Sequence, residues 1–181
     1  WAIAEYLHRM GHDVVCLAGH TSSVPSFPLP DVRYDDTQEG MLEASIQIAN
    51  SSPEPEFWIH AAAILDYEPV FESGKTPSGI GNWKIELSPT KKHLQVLKEH
   101  VGGSRRIGFK LEVAVDEETL VSRSKTLMSE NNLDAVVANL LEEATGQSSN
   151  RCRIVFPNGD VEIIQDLSEL CEAIEAIIAS N

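Results

Sequence analysis

RRIGFKLEVAVDEETLVSRSKTLMSENNLDAVVAN, residues 105–139, is the stretch that decides the fold. RRIGFKLEV (105–113) has the apolar, β-branched character of a strand, and DAVVAN (134–139) is a second buried strand. Between them Asp116 is a typical N-cap residue, and a helix is expected to run from it to about Asn131. A strand, a helix and a strand in this order predict a β-α-β unit with two parallel strands.

The same alternation extends towards the N terminus. Residues 1–10 predict a helix, DVVCLAG (13–19) predicts a buried strand, and FWIHAA (57–62) predicts another. A short strand and a helix are expected between the last two. Because the chain opens with a helix followed by a strand, we expect that the parent protein carries an upstream strand of the same sheet, which is missing here.

Towards the C terminus, RCRIVFPNGDVEII (151–164) predicts a β-hairpin that turns at Asn158–Gly159. A final helix is expected to start at Asp166, where Glu169 completes a capping box. The whole pattern predicts an α/β fold: a Rossmann-like, doubly wound, mostly parallel sheet with a C-terminal β-hairpin, in a single domain over residues 1–181.

Residues 63–88 interrupt this alternation and predict an extended loop or flap. The segment lacks periodicity, and loops of this length in a compact domain are usually functional. A short strand, WKIEL (83–87), is expected within it. Lys75 lies in its glycine-containing part, where a mobile ammonium group could close over phosphates; a solvated loop lysine is the alternative. The segment is not a Walker loop, because GxxxxGK[ST] is absent.

The charge balance restricts the partners. The chain has 14 Lys and Arg against 28 Asp and Glu, a net charge of −14, which argues against nucleic acid or an anionic membrane surface. From Lys75 to Lys125 the balance reverses, with ten basic and six acidic residues, or +4. This basic island suits a small polyanion such as a nucleoside triphosphate; a face of solvated lysines is the alternative. No apolar run of about 18 residues is present.

Cysteine and histidine usage indicates neither disulfides nor a metal site. Cys16, Cys152 and Cys171 are far apart and form no CxxC pair, so we expect reduced thiols in a cytoplasmic protein. Cys16, inside VVCLAG, is expected to be a small core residue rather than a nucleophile. None of the six histidines has metal-ligand spacing, and neither GxSxG nor HExxH occurs, so serine or zinc hydrolysis has no support.

Chemically useful side chains follow the predicted strands. In doubly wound sheets ligands bind beyond the carboxyl ends of the strands. Asp66 follows FWIHAA, the strand RRIGF leads into Phe109, Lys110 and Glu112, and Asn139 ends DAVVAN. Each has a structural explanation when taken alone, but their convergence at one edge favours a binding site.

A candidate anion site lies at Thr90, Lys91 and Lys92. These residues are expected to open a helix, whose free backbone N–H groups and two lysines would attract an anion. A capped surface helix is the alternative.

Six segments occur in the order found in one known family: HAAAILDYEPV (60–70), GKTPS (74–78), LSPTKKHL (87–94), IGFKLEV (107–113), a helix carrying Lys125, and LDAVVAN (133–139). Over essentially its whole length the chain resembles phosphopantothenoylcysteine synthetase, also called phosphopantothenate–cysteine ligase, of the DNA/pantothenate metabolism flavoprotein C-terminal domain family. In bacteria this domain is often the C-terminal half of a bifunctional flavoprotein.

The resemblance implies a ligase of coenzyme A biosynthesis. In this family CTP or ATP, with Mg²⁺, activates the carboxylate of 4′-phosphopantothenate as an acyl-nucleotidylate, and pyrophosphate leaves. The amine of L-cysteine then displaces the nucleoside monophosphate. The family is generally dimeric, so the resemblance also implies a homodimer with residues 63–88 at or near the interface.

The resemblance also assigns residues. Lys75 matches the phosphate-binding loop lysine and is expected to be catalytic. The residues that match nucleotide-binding positions are Ala61, Ala62, Ala63, Asp66, Lys75, Phe109 and Lys125. The sequence departs from the pattern where the fused bacterial form has a second helix lysine, and Thr90–Lys92 lacks the family's proline. The family's catalytic asparagine lies upstream of this stretch, so these residues alone are expected to be inactive.

Two other functions remain open. An extended short-chain NAD(P) oxidoreductase would also have an IHAAA-like segment, but it needs Tyr-x-x-x-Lys, and no tyrosine here has a lysine at that spacing. A non-catalytic nucleotide-binding member of the family is the other alternative. Asp66, Lys75 and Phe109 favour the ligase over this second alternative.

Overall fold

The computed structural model describes residues 1–20, 23–70, 74, 78–79, 81–145 and 151–180. The helices are α1 Ala2–Arg9, α2 Gln38–Ala49, α3 His93–Leu97, α4 Glu117–Asn131, α5 Leu141–Ala144 and α6 Leu167–Ala179. The strands are β1 Val15–Ala18, β2 Asp31–Tyr34, β3 Phe57–His60, β4 Tyr67–Pro69, β5 Leu87–Pro89, β6 Arg105–Glu112, β7 Ala135–Leu140, β8 Cys152–Val155 and β9 Val161–Ile164.

The central sheet has the strand order β3-β6-β7-β8-β9. β3, β6 and β7 are parallel, whereas β8 and β9 form the antiparallel C-terminal hairpin. Ile107 in β6 lies between Ile59 of β3 and Ala135 of β7. β1 and β2 form a separate parallel pair. The predicted Rossmann-like, mostly parallel α/β fold with its C-terminal hairpin is therefore confirmed.

Side chains alternate between the two faces of this sheet, and each face is covered by helices. Ile107 and Val137 belong to a core cluster that includes Ile174 of α6. Val136 belongs to a second cluster with Leu120 of α4. Both clusters consist mainly of aliphatic side chains with little or no solvent exposure, and burying each large one stabilises the fold by about 1.5–3 kcal/mol. The double covering explains why these strands are continuously apolar.

The helix starts predicted from capping residues are confirmed. The Asp116 carboxylate accepts a hydrogen bond from the backbone N–H of Thr119 at 2.8 Å, and Asp166 accepts one from Glu169 at 2.9 Å. These bonds satisfy donors that the first helical turn leaves free. The hairpin turn also forms as predicted, and it needs Gly159 because its φ is +94°.

Two predictions near the flap are wrong. The expected strand at 83–87 is displaced, because β5 begins only at Leu87 and pairs antiparallel with β4. The helix expected to open at Thr90 begins at His93, because Thr90 continues the β4–β5 pairing through its backbone N–H to the carbonyl of Asp66 at 3.0 Å. Within the described residues, no helix is long and apolar enough to cross a membrane.

Candidate functional site

The parallel strands β3, β6 and β7 end at one side of the sheet, which we call the carboxyl edge: residues 61–66 and 109–112, with the end of β7 beside them. His60, the last residue of β3, is in register with Gly108 of β6. The chain leaves β3 through Ala61, Ala62 and Ala63, whose surfaces are exposed. The alanines therefore follow the last paired residue of β3, at the end of the sheet where β6 continues to Phe109, and their small side chains leave room for a ligand.

Asp66 and the segment that follows β5 meet at this edge. The Thr90 hydroxyl donates a hydrogen bond to the carbonyl of Leu65 at 2.5 Å, and the Lys92 ammonium group contacts the Asp66 carboxylate. The hydrogen bond and the charge of Lys92 hold the pKa of Asp66 below its usual range. Asp66 is thus an anion at neutral pH, although most of its surface is open to solvent.

The candidate anion site at Thr90, Lys91 and Lys92 has a different construction from the one predicted. Lys92 is the N-cap of α3, which has only five residues, so Thr90 and Lys91 lie before the helix rather than in its first turn. The backbone N–H and the hydroxyl of Thr90 donate to the carbonyl oxygens of Asp66 and Leu65, at the start of the flap. The cation that the segment contributes to the carboxyl edge is Lys92, held by Asp66.

Phe109 occupies the last part of β6, half-buried. Its ring packs against the core cluster that contains Ile107 and the α6 residue Ile174. One part of the ring is thereby fixed by the core, while the residue reaches the carboxyl edge beside the alanines. The structure therefore brings Phe109 to the same edge as Ala61–Ala63 and Asp66, as expected.

Charged side chains lie at the carboxyl edge on the other face of β6, the face opposite Phe109. Lys110 Nζ lies 3.0 Å from Glu112 Oε1, and Arg123 Nη1 of α4 lies 2.5 Å from Glu112 Oε2. Burial opposes ionisation of Glu112, but the hydrogen bonds from Lys110 and Arg123 outweigh it and lower the pKa of its carboxyl. The sequence placed Lys110 and Glu112 at a strand end without giving them a role; their i, i+2 spacing was the available signal.

Lys125 and Lys75 stand apart from this group. The Nζ of Lys125 lies 3.5 Å from the point that a Cβ on Gly159 would occupy. Gly159 is in the β8–β9 turn, and β8 runs antiparallel to β7, so this turn lies at the opposite end of the sheet. The structure therefore does not bring Lys125 together with Asp66 and Phe109. Lys75 lies outside the described residues.

Near the start of β6, a buried arginine ties two helices to this strand. Arg106, 2% exposed, donates hydrogen bonds to the carbonyl oxygens of Asn131 at 2.7 Å and Leu94 at 3.0 Å. Its Nε–H also points at Nε2 of His60, 3.4 Å away. These bonds fix the end of α4 and the start of α3 to the first part of β6, and α3 follows directly after Lys92.

His60 makes stability depend on pH. Burial, followed by the positive charges of Arg106 and His93, lowers its pKa from 6.5 to about 3. The folded protein therefore holds His60 neutral, whereas the unfolded chain takes up a proton below about pH 6.5, so stability falls as the pH drops through that value. When the pH is lowered from 7 to 5, we expect His60 to reduce the free energy of unfolding by about 2 kcal/mol.

Urea unfolding at the two pH values checks this expectation. His60→Gln keeps a hydrogen-bond acceptor for Arg106 but cannot titrate, so it should lose about 2 kcal/mol less than the unmodified protein on acidification. His100→Gln, at an exposed histidine, is the matched control and should behave like the unmodified protein. Equal acid losses in all three proteins would contradict a His60 that stays neutral in the folded protein.

Together the fold and this edge define a ligand-binding domain of the Rossmann-like α/β class, with its site beyond the strand ends. A family model described as the DNA/pantothenate metabolism flavoprotein C-terminal domain matches residues 1–179. The chain belongs to this family, and the resemblance noted in the sequence is thereby confirmed.

A curated protein with a similar sequence is also known. The coenzyme A biosynthesis bifunctional protein CoaBC of Thermococcus kodakarensis is 32% identical over 154 residues, which are 85% of this chain and 37% of that protein. The chain thus spans little more than a third of this relative.

Two solved structures share the fold. The DNA/pantothenate metabolism flavoprotein from Streptococcus pneumoniae has a TM-score of 0.85 at 23% identity, covering 98% of this chain and 85% of that chain. A mutant of Cab2 in complex with phosphopantothenate-cysteine has a TM-score of 0.62 at 23% identity, covering 82% of this chain and 52% of that chain.

Proposed function

We propose that this chain is part of a phosphopantothenate–cysteine ligase of coenzyme A biosynthesis. The observation that carries the proposal is the gathering of Ala61–Ala63, Asp66 and Phe109 at one carboxyl edge, in a chain that belongs to this family. The coenzyme A biosynthesis name of the Thermococcus relative supports the pathway. The phosphopantothenate-cysteine bound to the Cab2 mutant supports the substrates.

The proposed reaction has two displacements. A carboxylate oxygen of 4′-phosphopantothenate attacks the α-phosphorus of CTP or ATP, a new P–O bond forms, and the bond to pyrophosphate breaks. The amine nitrogen of L-cysteine then attacks the acyl carbon. The C–N bond forms, the acyl C–O bond breaks, and the nucleoside monophosphate leaves with the carboxylate oxygen while the amine loses a proton.

The residues of the edge have distinct proposed tasks. The alanines let the nucleotide lie against the backbone, and Phe109 offers an aromatic surface to the base. Asp66 accepts hydrogen bonds from the nucleotide. Cations must stabilise the charge that develops on the α-phosphate and on pyrophosphate, and we assign this task to Lys75. Lys125, the helix lysine of the family pattern, lies at the opposite end of the sheet and receives no part in it.

The ion pair between Asp66 and Lys92 would change partners on binding. Asp66 turns to the nucleotide, and Lys92 becomes free to approach the phosphates. Both side chains are more than half exposed, so little stability is lost when the pair opens. Thr90 keeps its hydrogen bonds to the carbonyl oxygens of Asp66 and Leu65, and Lys91 connects it to Lys92.

Magnesium enters this proposal as part of the substrate. Mg²⁺ is usually held by substrate phosphates, water and one or two carboxylates rather than by a complete protein cage. No group of three or more His, Cys, Asp or Glu side chains in the described part of the chain could hold a metal ion. We therefore propose that Mg²⁺ arrives with CTP or ATP and is held mainly by the triphosphate.

The release of pyrophosphate tests the proposal. In the full-length protein it should require 4′-phosphopantothenate, and comparison of CTP with ATP identifies the nucleotide. Nucleotide binding without turnover would instead favour the non-catalytic member of the family. Failure of both binding and turnover in a folded protein would refute both functions.

We also propose a cytoplasmic homodimer, in which residues 1–181 form one domain and residues 63–88 lie at the interface. Large apolar side chains on the flap support this arrangement: Leu65 is 67% exposed, Tyr67 58%, Trp83 61% and Ile85 54%. Such a concentration on one element indicates a surface that another molecule covers.

Sedimentation of the full-length protein tests the dimer. We expect a dimer at micromolar concentration, and Trp83→Asp together with Ile85→Asp should shift it towards monomer, because charges would be buried in the interface. Val24→Asp, at another exposed apolar residue, is the control. A monomer before any substitution would contradict the proposal.

A further inference from the structure

Five charged side chains of alternating sign line the carboxyl edge. In order they are Lys92, Asp66, Lys110, Glu112 and Arg123. Lys92 is paired with Asp66, and Glu112 accepts from both Lys110 and Arg123. These five side chains carry three positive charges and two negative charges, on a chain whose net charge is −14. Two of the three cations, Lys92 and Lys110, therefore lie next to carboxylates at the strand ends.

Register fixes the position of Lys110. Gly108 is level with His60, and side chains two residues apart in a strand project from the same face. Lys110 therefore projects from the face of Arg106 and Gly108, beside the chain that leaves β3 through the alanines. After the hydrogen bond and charge of Lys92, the charge of Lys110 also lowers the pKa of Asp66, so both lysines act on the same carboxylate.

The contact between Lys110 and Glu112 differs from a loose surface ion pair. The Glu112 side chain is only 12% exposed, and Arg123 fixes its second oxygen at 2.5 Å. Lys110 is 34% exposed, so its stem is partly covered while its ammonium group remains reachable. A carboxylate held by α4 therefore places one cation at the strand end, where ligands of this fold class bind.

We propose that Lys110 is a phosphate-binding residue of the nucleotide site, and that Glu112 is the positioning residue that holds its ammonium group at the carboxyl edge. The inference rests on the proposed ligase function. Lys110 donates to oxygen atoms of the β- and γ-phosphates, which later leave as pyrophosphate. Glu112 remains balanced by Arg123 when Lys110 turns to the phosphates. Phe109 and Lys110, neighbours on opposite faces of β6, thereby serve the base and the phosphates.

Calorimetric titration of the full-length protein tests this assignment. CTP or ATP, inorganic pyrophosphate and the matching nucleoside monophosphate are titrated in turn. We expect Lys110→Met to weaken the binding of the triphosphate and of pyrophosphate about tenfold or more, because a charge-assisted hydrogen bond is lost. Binding of the monophosphate should change less than about twofold, and Lys110→Arg should keep most of the affinity.

Lys98→Met is the matched control. Lys98 is also half-buried, and its Nζ donates to the carbonyl oxygen of Glu130 at 3.1 Å. That contact lies at the end of α4, on the opposite side of the sheet from the carboxyl edge. The substitution removes the same charge, so unchanged affinities would show that local contact rather than net charge matters.

Three outcomes would overturn the inference. If Lys110→Met binds pyrophosphate as tightly as the unmodified protein does, Lys110 does not contact the phosphates, and the ligase proposal stands. Equal losses for all three ligands would indicate a purely structural role. If the unmodified protein neither binds triphosphate nor releases pyrophosphate, the proposed function fails and this inference fails with it. Should Lys110→Met not fold, Lys110→Gln is measured instead.

Discussion

Replacing Glu143 with Gln is expected to lower the free energy of unfolding by about 3 kcal/mol, because it leaves a buried guanidinium without its principal counter-charge. Both Glu143 oxygens lie 2.7 Å from Nη1 of Arg153. The two residues are 6% and 4% exposed. Arg153 also contacts Glu117, at 3.2 Å, but that side chain is 56% exposed. Urea unfolding at pH 7 measures the loss.

Two further variants separate the buried charge from other effects. Glu142→Gln changes an exposed neighbour whose carboxylate accepts a long bond, 3.3 Å, from the backbone N–H of Ala114, and should cost less than about 0.5 kcal/mol. Glu143→Leu combined with Arg153→Met removes both charges and should recover most of the lost stability. A loss below about 1 kcal/mol for Glu143→Gln would show that Arg153 finds compensation elsewhere.

Lys75→Ala is expected to lower kcat for pyrophosphate release about 100-fold, since removal of one preorganised donor to developing charge typically has an effect of this size. The expectation follows from the proposed role of Lys75 as the loop lysine that reaches the phosphates. It is measured in the full-length protein with saturating 4′-phosphopantothenate, L-cysteine and Mg²⁺.

Lys84→Ala is the control for this second prediction. Lys84 is an exposed lysine of the same flap, and its loss changes the net charge of the flap equally. Turnover of Lys84→Ala should stay within about twofold of the unmodified enzyme, as for a surface substitution. If Lys75→Ala and Lys84→Ala behave alike, the flap supplies charge in general and Lys75 has no special role.

Local patterns were sufficient to predict the main elements. The unit from β6 through α4 to β7 could be predicted from two apolar strands and the N-cap residue Asp116. Each of these signals depends on only a few neighbouring residues. The carboxyl edge follows from the parallel order of these strands, so the placement of Asp66 and Phe109 could be anticipated. The hairpin turn at Gly159 required only the local preference for a positive φ.

Pairings between distant segments could not be predicted. Thr90 looks like a helix start, yet its N–H bonds to the carbonyl of Asp66, 24 residues earlier. The partner of Lys92 is set by the same pairing. Lys125 was correctly placed on a helix, but only the packing of the hairpin shows which end of the sheet it faces. The ion pair between Glu143 and Arg153 joins two elements that sequence patterns treat separately.

The central claim, a ligase that works through an acyl-nucleotidylate, is tested most directly by labelling the carboxylate of 4′-phosphopantothenate with ¹⁸O. The full-length protein is incubated with this substrate, L-cysteine, Mg²⁺ and the preferred nucleotide, and the masses of the products are measured by mass spectrometry. The account predicts phosphopantothenoylcysteine together with a nucleoside monophosphate that carries one ¹⁸O atom. Absence of the cysteine adduct, or ¹⁸O in inorganic phosphate instead of the monophosphate, would contradict it.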